Sequence, residues 1–296
     1  MTATTISLAS TLLGEHPCYT ESAARTSGRM HLPVAPACNL GCNFCERTVG
    51  VAAAAYRGPG SSRSILSPQA ASSLVDRLAV FGWLRVVGIA GPAEPLANDE
   101  TFETLRVVGA AHPDLILCLS TNGLELEQSL PELLRAGLKA LTVTINTTLP
   151  ETAARLYAWA DIDGHRVTGE AAAPEILRRQ WRGLAAAAEA DLLIKVNSVL
   201  IPGVNPQDLP AVARDAACLG VHRHNIMPLI PRGRMRSLRP PTRYEMEAVR
   251  EKCARWLPQF RGCTQCPADV IEPPTSSAKG GAPCAGQCSA SSSRSQ

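Results

Sequence analysis

Three cysteines lie close together after the first apolar segment of the chain. Cys38, Cys42 and Cys45 have the spacing C-x3-C-x2-C. Thiolates are soft ligands that suit iron–sulfur centres, and three of them on one short loop can ligate three irons of a cubane cluster. The fourth iron then has no protein ligand, so it can bind a small molecule through amine and carboxylate groups. A zinc knuckle is the alternative, but structural zinc needs a fourth ligand, and no further Cys or His stands beside this loop.

The remaining cysteines support the same interpretation. The chain has 11 cysteines, an odd number that is awkward for a disulfide framework, and residues 1–13 lack the basic start and apolar centre of a secretion signal. Clustered cysteines then indicate metal or redox ligands rather than disulfides. Cys263 and Cys266 form a C-x2-C pair near the end of the chain, a spacing that is common in metal clasps.

Composition narrows the class of protein. The 296 residues are 45% hydrophobic and can bury the core of one large domain. A formal net charge of +3 gives no reason to expect nucleic acid or an acidic membrane as a partner. Charged residues, Pro or Gly interrupt every apolar run before it is long enough to span a bilayer. We therefore expect a cytoplasmic protein that binds neither nucleic acid nor membranes.

The elements that must position these cysteines alternate between strands and helices. Apolar, β-rich runs occupy residues 30–35, 84–90, 115–120, 140–146, 192–200 and 225–230, and helical stretches occupy 67–81, 100–111, 126–136, 174–190 and 206–219. Strand followed by helix, repeated about six times, predicts an α/β fold with a parallel sheet that is covered on both faces. Six repeats are too few for an eight-stranded barrel, so we expect a partial (βα)6 barrel.

The remaining segments lie on either side of this barrel. We expect a cysteine-bearing N-terminal segment of irregular structure at 1–29, the barrel at 30–241, a helix with the CxxC extension at 242–272, and a disordered low-complexity tail at 273–296. The C-terminal ends of the strands carry polar and Gly-rich residues, and functional groups gather at this edge in parallel α/β folds. These residues predict a ligand site, although ordinary βα turns use the same residue types: Gly91, Glu94, Thr121, Asn122, Ile145 and Asn197.

The cysteine loop resembles the signature of the radical S-adenosylmethionine (SAM) superfamily, in which an aromatic residue precedes the third cysteine. In that superfamily the open iron chelates the methionine part of SAM, and one electron from the cluster breaks a carbon–sulfur bond to give the 5′-deoxyadenosyl radical. The resemblance implies that Phe44 lies near the adenine and that Glu94, in the motif that begins at Gly91, binds the methionine amino group. It also implies a pocket completed by Thr121, Asn122, Ile145, Asn197 and Met227.

A closer resemblance extends over roughly residues 15 to 272. Residues 16–19, 29–36, 87–92, 118–123, 143–146, 195–197, 225–231 and 263–269 look like the nitrogenase cofactor maturase family, NifB, in the family's order. Members of that family bind two further [4Fe–4S] clusters and transfer a SAM-derived methyl group to a cluster sulfide. They convert this carbon to a carbide as the clusters fuse into an eight-iron precursor of the nitrogenase cofactor. Implied partners are an electron donor such as a ferredoxin, and cluster carrier or scaffold proteins of nitrogenase assembly.

The resemblance also implies ligands for the additional clusters. They are Cys18, Cys118, Cys263, Cys266, His16 and His31. Cys18 is expected on a flexible segment that folds over the mouth of the barrel. Alternatives remain, because a mid-strand cysteine such as Cys118 is often a small core residue and either histidine can be structural. Cys218 and Cys253 are interpreted as packing residues, and Cys284 and Cys288 lie in the tail.

Two stretches depart from the family pattern. Residues 22–26 lack the usual pair of histidines, and residues 49–55 lack the further cysteine and Asn-Glu pair that follow the triplet. Three hypotheses therefore stand: a maturase that inserts carbide and fuses clusters, a divergent radical SAM enzyme with another substrate, and a noncatalytic cluster carrier. The first is preferred. The basic stretch 232–236 holds anionic clusters, docks a carrier protein or is a solvated loop.

Overall fold

The computed structural model describes residues 8–275. The strands are β1 (Gly28–His31), β2 (Leu40–Cys42), β3 (Thr48–Val49), β4 (Ser61–Ser62), β5 (Leu84–Ile89), β6 (Ile116–Thr121), β7 (Leu138–Thr144), β8 (Tyr157–Ile162), β9 (His165–Thr168), β10 (Leu193–Leu200), β11 (Arg223–Pro228) and β12 (Ile271–Glu272). The helices are α1 (Leu8–Leu13), α2 (Ala23–Thr26), α3 (Pro68–Ala79), α4 (Asp99–Ala111), α5 (Leu126–Arg135), α6 (Pro150–Leu156), α7 (Ala173–Glu189), α8 (Leu209–Cys218) and α9 (Arg243–Ala254). The predictions for the tail beyond residue 275, with Cys284 and Cys288, lie outside the described residues.

The main sheet has the order β11-β10-β7-β6-β5-β1-β12. β1, β5, β6, β7, β10 and β11 are parallel to their neighbours, whereas β12 pairs antiparallel with β1 at the edge. Each parallel strand therefore lies beside the preceding parallel strand of the same sheet, as repeated strand–helix units require. The curled sheet of six parallel strands confirms the predicted partial barrel. Among the described helices, none is long and apolar enough to cross a membrane.

Helix ends follow local sequence signals. The Ser67 side chain accepts a hydrogen bond from the backbone N–H of Ala70, and Pro68 occupies the first position of α3. α9 begins with a reciprocal capping box between Thr242 and Glu245. The predicted helices and strands accordingly agree with the observed elements to within about three residues at most ends, which is the usual precision of such boundaries.

The core lies between the sheet and its outer helices. Fully buried residues such as Ile89, Leu119 and Leu141 on the strands pack with Leu133 and Leu184 on the helices. Each large aliphatic side chain so buried contributes on the order of 1.5–3 kcal/mol. Burial of both sheet faces explains why these strands are apolar without alternation.

The prediction that the opening segment is irregular is wrong, because it contains α1 and α2. Ala9, Leu12 and Tyr19 are buried against Val86, Ile116, Ala140 and Leu193, which stand near the N-terminal ends of their strands. The Tyr19 hydroxyl donates to the carbonyls of Leu141 at 2.6 Å and Leu193 at 3.0 Å. This segment therefore fills the barrel at the end opposite its mouth, and the expectation that Cys18 folds over the mouth is also wrong.

Candidate functional site

The three clustered cysteines lie on the loop that follows β1. Cys38 and Cys42 are half-buried, and Cys45 is exposed. β2, which ends at Cys42, pairs antiparallel with β8 of a hairpin that the sequence analysis did not predict. Gly41 lies under the Trp159 indole, where an added Cβ would stand 2.3 Å from Nε1, so only glycine fits there. The hairpin thus fixes the cysteine loop from outside the barrel.

All three thiols of this loop line one cavity, together with Phe44, Glu94, Thr121 and Asn122. Burial is the main cause that raises the pKa of Cys38 to about 11, and it also raises the pKa values of Cys42 and Cys45. Thiolates here therefore need a bound cation. Within residues 8–275 no three His, Cys, Asp or Glu side chains could together hold a single metal ion. The fit to a multinuclear cluster rests instead on the shared cavity and the all-thiol donor set.

Glu94 is the buried acid of this cavity, with 4% of its surface exposed. Its Oε1 accepts hydrogen bonds from Thr121 Oγ1 at 2.5 Å and from the Leu96 N–H at 3.1 Å, and its Oε2 accepts from the Asn122 N–H at 2.7 Å. Burial raises its pKa to about 7, and these three hydrogen bonds oppose the shift. A carboxylate held in this way is oriented to bind a cation inside the cavity.

Two asparagines join the cysteine loop to the loops after β5 and β6. The Asn98 side chain accepts from the Ala37 N–H at 2.9 Å and donates to the carbonyls of Ala37 at 3.0 Å and Glu94 at 2.6 Å. Asn122 Nδ2 donates to Asn39 Oδ1 at 2.7 Å. The sequence analysis missed Asn39 and Asn98. The only signal for Asn98 is its place before α4, which indicates a helix cap and no contact with the cysteine loop.

The remaining residues predicted for this pocket separate into two groups. Met227 lines the cavity, and Gly91 lies between two lining residues with a φ of +133°, a conformation that favours glycine. Asn197 lines the neighbouring cavity instead and accepts a hydrogen bond from Asn225 Nδ2 at 3.0 Å. The Ile145 side chain is fully buried in the core and lines neither cavity.

A second cavity lies deeper in the barrel. Its lining includes Cys18, Cys118, Cys263, Cys266 and His31, so the structure brings together five of the six ligands expected from the resemblance. The sixth, His16, is buried beneath Cys18, whose N–H donates to His16 Nδ1 at 3.1 Å. The two cavities share six lining residues: Pro59, Ala90, Ser120, Thr144, Met227 and Gln265. A group bound in one cavity therefore lies next to a group bound in the other.

Two cations face the second cavity, and the sequence analysis identified neither. Arg29 is 6% exposed and donates through Nη1 to Cys18 Sγ at 2.8 Å and through Nη2 to Cys266 Sγ at 3.2 Å. Lys195 Nζ donates to the Cys18 carbonyl at 2.9 Å and stands 5.0 Å from the Tyr19 ring centroid. These positive charges make the cavity suitable for an anionic ligand.

The thiols of the second cavity differ in pKa because their surroundings differ. Burial by itself raises the pKa of Cys18, but the hydrogen bond with His16 and the charge of Arg29 lower it overall to about 6. Burial and the neighbouring Cys18 raise the pKa of Cys118 to about 12. His31 is held neutral, because burial and Arg29 lower its pKa to about 4. His31 Nδ1 and His16 Nε2 are buried with no hydrogen-bond partner among the described residues, so each has a free nitrogen that suits a ligand.

Comparisons with known proteins agree with this fold and site. The family described as the radical SAM superfamily matches residues 32–216. The crystal structure of Streptococcus suis SuiB, also solved bound to S-adenosylmethionine, superposes with a TM-score of 0.58 at 13% identity. The match covers 81% of this chain and 51% of SuiB, and at that identity it concerns the fold alone. The chain is a radical SAM enzyme, and membership of this superfamily implies a [4Fe–4S] cluster and SAM.

Relatives of higher identity define the family more narrowly. The FeMo cofactor biosynthesis protein NifB of Methanocaldococcus jannaschii is 42% identical over 257 residues, which are 86% of this chain and 85% of that protein. The protein of the same name from Klebsiella pneumoniae is 43% identical over 264 residues, which are 86% of this chain and 56% of that protein. Within the radical SAM superfamily, the chain belongs to the NifB family.

Proposed function

We propose that this chain fuses two substrate [4Fe–4S] clusters around a carbon atom taken from SAM, giving the eight-iron precursor of the nitrogenase cofactor. The observation that carries the proposal is the second cavity. Four cysteines and His31 line it, and it shares six lining residues with the cavity of the cysteine triplet. Such a set of soft ligands beside the SAM pocket supplies coordination sites for further iron–sulfur clusters.

The residues of the first cavity bind and orient SAM. Cys38, Cys42 and Cys45 hold the resident [4Fe–4S] cluster, which when bound supplies the one electron that cleaves a carbon–sulfur bond of SAM. The Glu94 carboxylate accepts a hydrogen bond from the methionine amino group, and the donors from Thr121 and Asn122 hold the carboxylate in place. Phe44 and Met227 provide apolar surface that excludes water from the cavity.

The residues of the second cavity bind the substrate clusters. Cys18, Cys118, Cys263 and Cys266 supply thiolates, and His16 and His31 supply neutral nitrogen ligands. Arg29 and Lys195 offset the negative charge of thiolate-bound iron–sulfur clusters. One SAM gives its methyl group to a cluster sulfide and leaves as S-adenosylhomocysteine. A second SAM accepts one electron and would be cleaved to methionine and the 5′-deoxyadenosyl radical, which takes one hydrogen atom from that methyl group and leaves as 5′-deoxyadenosine.

One experiment tests the proposal. The chain is reconstituted anaerobically with iron and sulfide, treated with SAM and dithionite, and assayed for bound iron, 5′-deoxyadenosine and S-adenosylhomocysteine. We expect both products, and iron in excess of one four-iron cluster. Cys42→Ala should abolish 5′-deoxyadenosine, whereas Cys253→Ala should form it normally because Cys253 is buried in the core away from both cavities. Zinc as the bound metal, or unchanged turnover by Cys42→Ala, would refute the proposal.

A divergent radical SAM enzyme with another substrate is the second candidate. The observation that favours it is the 3-10 helix Gly50–Ala54 close after Cys45, which carries only Gly, Val and Ala. 5′-Deoxyadenosine with one cluster and no S-adenosylhomocysteine would support this candidate. Iron binding without cleavage would support a noncatalytic cluster carrier. Under the maturase proposal, a carrier or scaffold protein of nitrogenase assembly delivers the substrate clusters to the chain.

A further inference from the structure

A group of arginines surrounds the exposed end of the cysteine triplet. We call Arg47, Arg232, Arg234 and Arg236 the arginine patch. With Glu46, the acidic residue among them, they carry a charge of +3, which equals the formal charge of the whole chain. The charges of the remaining residues therefore sum to zero, and this group is a local excess of positive charge. A local potential of this kind attracts an acidic partner and accelerates its association.

The patch is attached to the backbone of the cysteine loop. The Met235 N–H donates to the Asn43 carbonyl at 3.1 Å, and the Gly233 N–H donates to Glu46 Oε2 at 3.4 Å. Gly233 has a φ of +56°, and a Cβ there would stand 2.6 Å from the Cys45 carbonyl oxygen. This contact requires glycine and places the flanking arginines directly beside Cys45. A protein bound to the patch therefore touches the most exposed ligand of the resident cluster.

Most guanidiniums of the patch have no partner for their charge. Within residues 8–275, Arg47, Arg234 and Arg236 make no ion pair, and all three are exposed. Arg232 Nη2 is 3.6 Å from Glu46 Oε2. The same guanidinium stacks on the Tyr56 ring, with Cζ 3.9 Å from the ring centroid. In contrast, Arg166, Arg178 and Arg182 elsewhere on the surface each pair with a carboxylate. Unpaired like charges repel one another, so the patch costs stability that an acidic partner would recover.

We propose that the arginine patch is the docking surface for an acidic protein that donates one electron to the cluster held by the cysteine triplet. This inference rests on the proposed function, because SAM cleavage consumes one electron that the chain itself does not supply. The donor is oxidised by one electron and the cluster is reduced by one, with no group transferred. The partner fitted by this surface is a small iron–sulfur or flavin protein whose redox centre lies near an acidic face.

The test compares two reductants on the reconstituted full chain. A reduced acidic ferredoxin and dithionite each drive 5′-deoxyadenosine formation by the unaltered chain and by the double variant Arg234→Glu/Arg236→Glu. Arg47 and Arg232 are left in place because they line the SAM cavity. The matched control is Arg106→Glu/Arg135→Glu, which makes the same charge change at exposed positions on α4 and α5.

We expect the patch variant to lose roughly tenfold or more of the ferredoxin-driven rate at low salt while its dithionite-driven rate is unchanged. The ferredoxin-driven rate of the unaltered chain should fall as the ionic strength rises, whereas that of the patch variant should not. An unchanged ferredoxin-driven rate, an equal loss in the control, or an equal loss under dithionite would each overturn the inference. Absence of dithionite-driven cleavage in the unaltered chain would instead refute the proposed function.

Discussion

Arg29 donates a hydrogen bond from Nη1 to the Cys18 sulfur at 2.8 Å, inside the second cavity. Its other nitrogen, Nη2, is 3.2 Å from Cys266 Sγ and 2.5 Å from Glu272 Oε2. The guanidinium thus joins a cysteine from the N-terminal segment to one from the C-terminal extension, which are far apart in sequence. It stands between two proposed ligands of a substrate cluster, and its ion pair with Glu272, its cross-strand neighbour, holds it there.

The first prediction concerns this guanidinium. Arg29→Gln should bind less iron, by one four-iron cluster per chain, because nothing then offsets the charge of the cluster and its thiolates in a buried cavity. Arg29→Lys keeps the positive charge but lacks the planar guanidinium that can donate to both sulfurs. Its iron content should therefore lie between that of the unaltered chain and that of Arg29→Gln. The measurement is anaerobic iron analysis, together with the electron paramagnetic resonance signal of the reduced SAM-binding cluster. That signal should persist in both variants, and full iron content in Arg29→Gln would contradict the prediction.

Sequence patterns predicted the barrel because each strand and helix has its own local signal. The run from residue 192 to 200 and the capped start of α3 at Ser67 are examples. The β8–β9 hairpin was missed because its four-residue second strand is mostly exposed and gives no apolar pattern. The burial of α1 was missed for a different reason, since only the folded barrel provides the Val86–Leu193 layer on which it packs.

The residues of the candidate site also differ in whether the local sequence predicts their role. The spacing of Cys38, Cys42 and Cys45 is local and predicts its own chemistry. Arg29 and Asn98 act through partners that are distant in sequence, and nothing in their immediate neighbours indicates those partners. Ile145 is the reverse case, because its place at a strand end predicts the SAM pocket whereas its side chain packs in the core.

The second prediction concerns the pH dependence of SAM binding. In the proposed site Glu94 accepts from the SAM amino group as a carboxylate, and burial raises its pKa to about 7 in the folded chain. Glu94 must therefore lose a proton when SAM binds at lower pH, which by itself weakens the affinity about tenfold per pH unit below pH 7. The SAM α-amino group can ligate iron only as a neutral amine, so it also loses a proton on binding below pH ~8, and the affinity should level off above that pH. Equilibrium dialysis on the reconstituted chain from pH 5.5 to 9 measures this profile.

Glu94→Gln provides the control for that profile. The variant should lose the part of the pH dependence that Glu94 causes below pH 7 and keep the rise in affinity up to about pH 8, since only the ligand then titrates. At pH 7.5 its affinity should be roughly ten- to a hundredfold weaker, the usual value of a charge-assisted hydrogen bond. The same burial makes the ionised carboxylate unfavourable for folding. The stability that protonated Glu94 contributes to the folded state is therefore fully present below pH 4.5 and is lost as the pH rises through about 7. The same pH profile in Glu94→Gln and in the unaltered chain would show that Glu94 does not contact the amino group.

The third prediction concerns Asn98, which joins the start of the cysteine loop to the Glu94 loop. Asn98→Ala leaves the Ala37 N–H and the carbonyls of Ala37 and Glu94 without their side-chain partner, so unfolding should become easier by about 1–3 kcal/mol. SAM affinity should fall as well, because both loops contribute to its pocket. Gln69→Ala removes an exposed amide hydrogen bond to Glu103 and should change stability by less than about 0.5 kcal/mol. Denaturant unfolding and dialysis with SAM measure the two effects, and equal behaviour of the two variants would show that Asn98 is dispensable.

The fourth prediction separates SAM cleavage from cluster assembly. Cys118 lines the second cavity beneath Ser120, whereas Cys218 is exposed at the end of α8. Cys118→Ala should lose iron and form no eight-iron product, yet still release 5′-deoxyadenosine, because the cysteine triplet and Glu94 are unchanged. Cys218→Ala should match the unaltered chain in all three measurements. If Cys118→Ala binds full iron and assembles the product, Cys118 is a core residue rather than a ligand. If Cys118→Ala instead loses 5′-deoxyadenosine formation together with iron, the two cavities do not act independently, since a change in the deeper cavity then affects the SAM site.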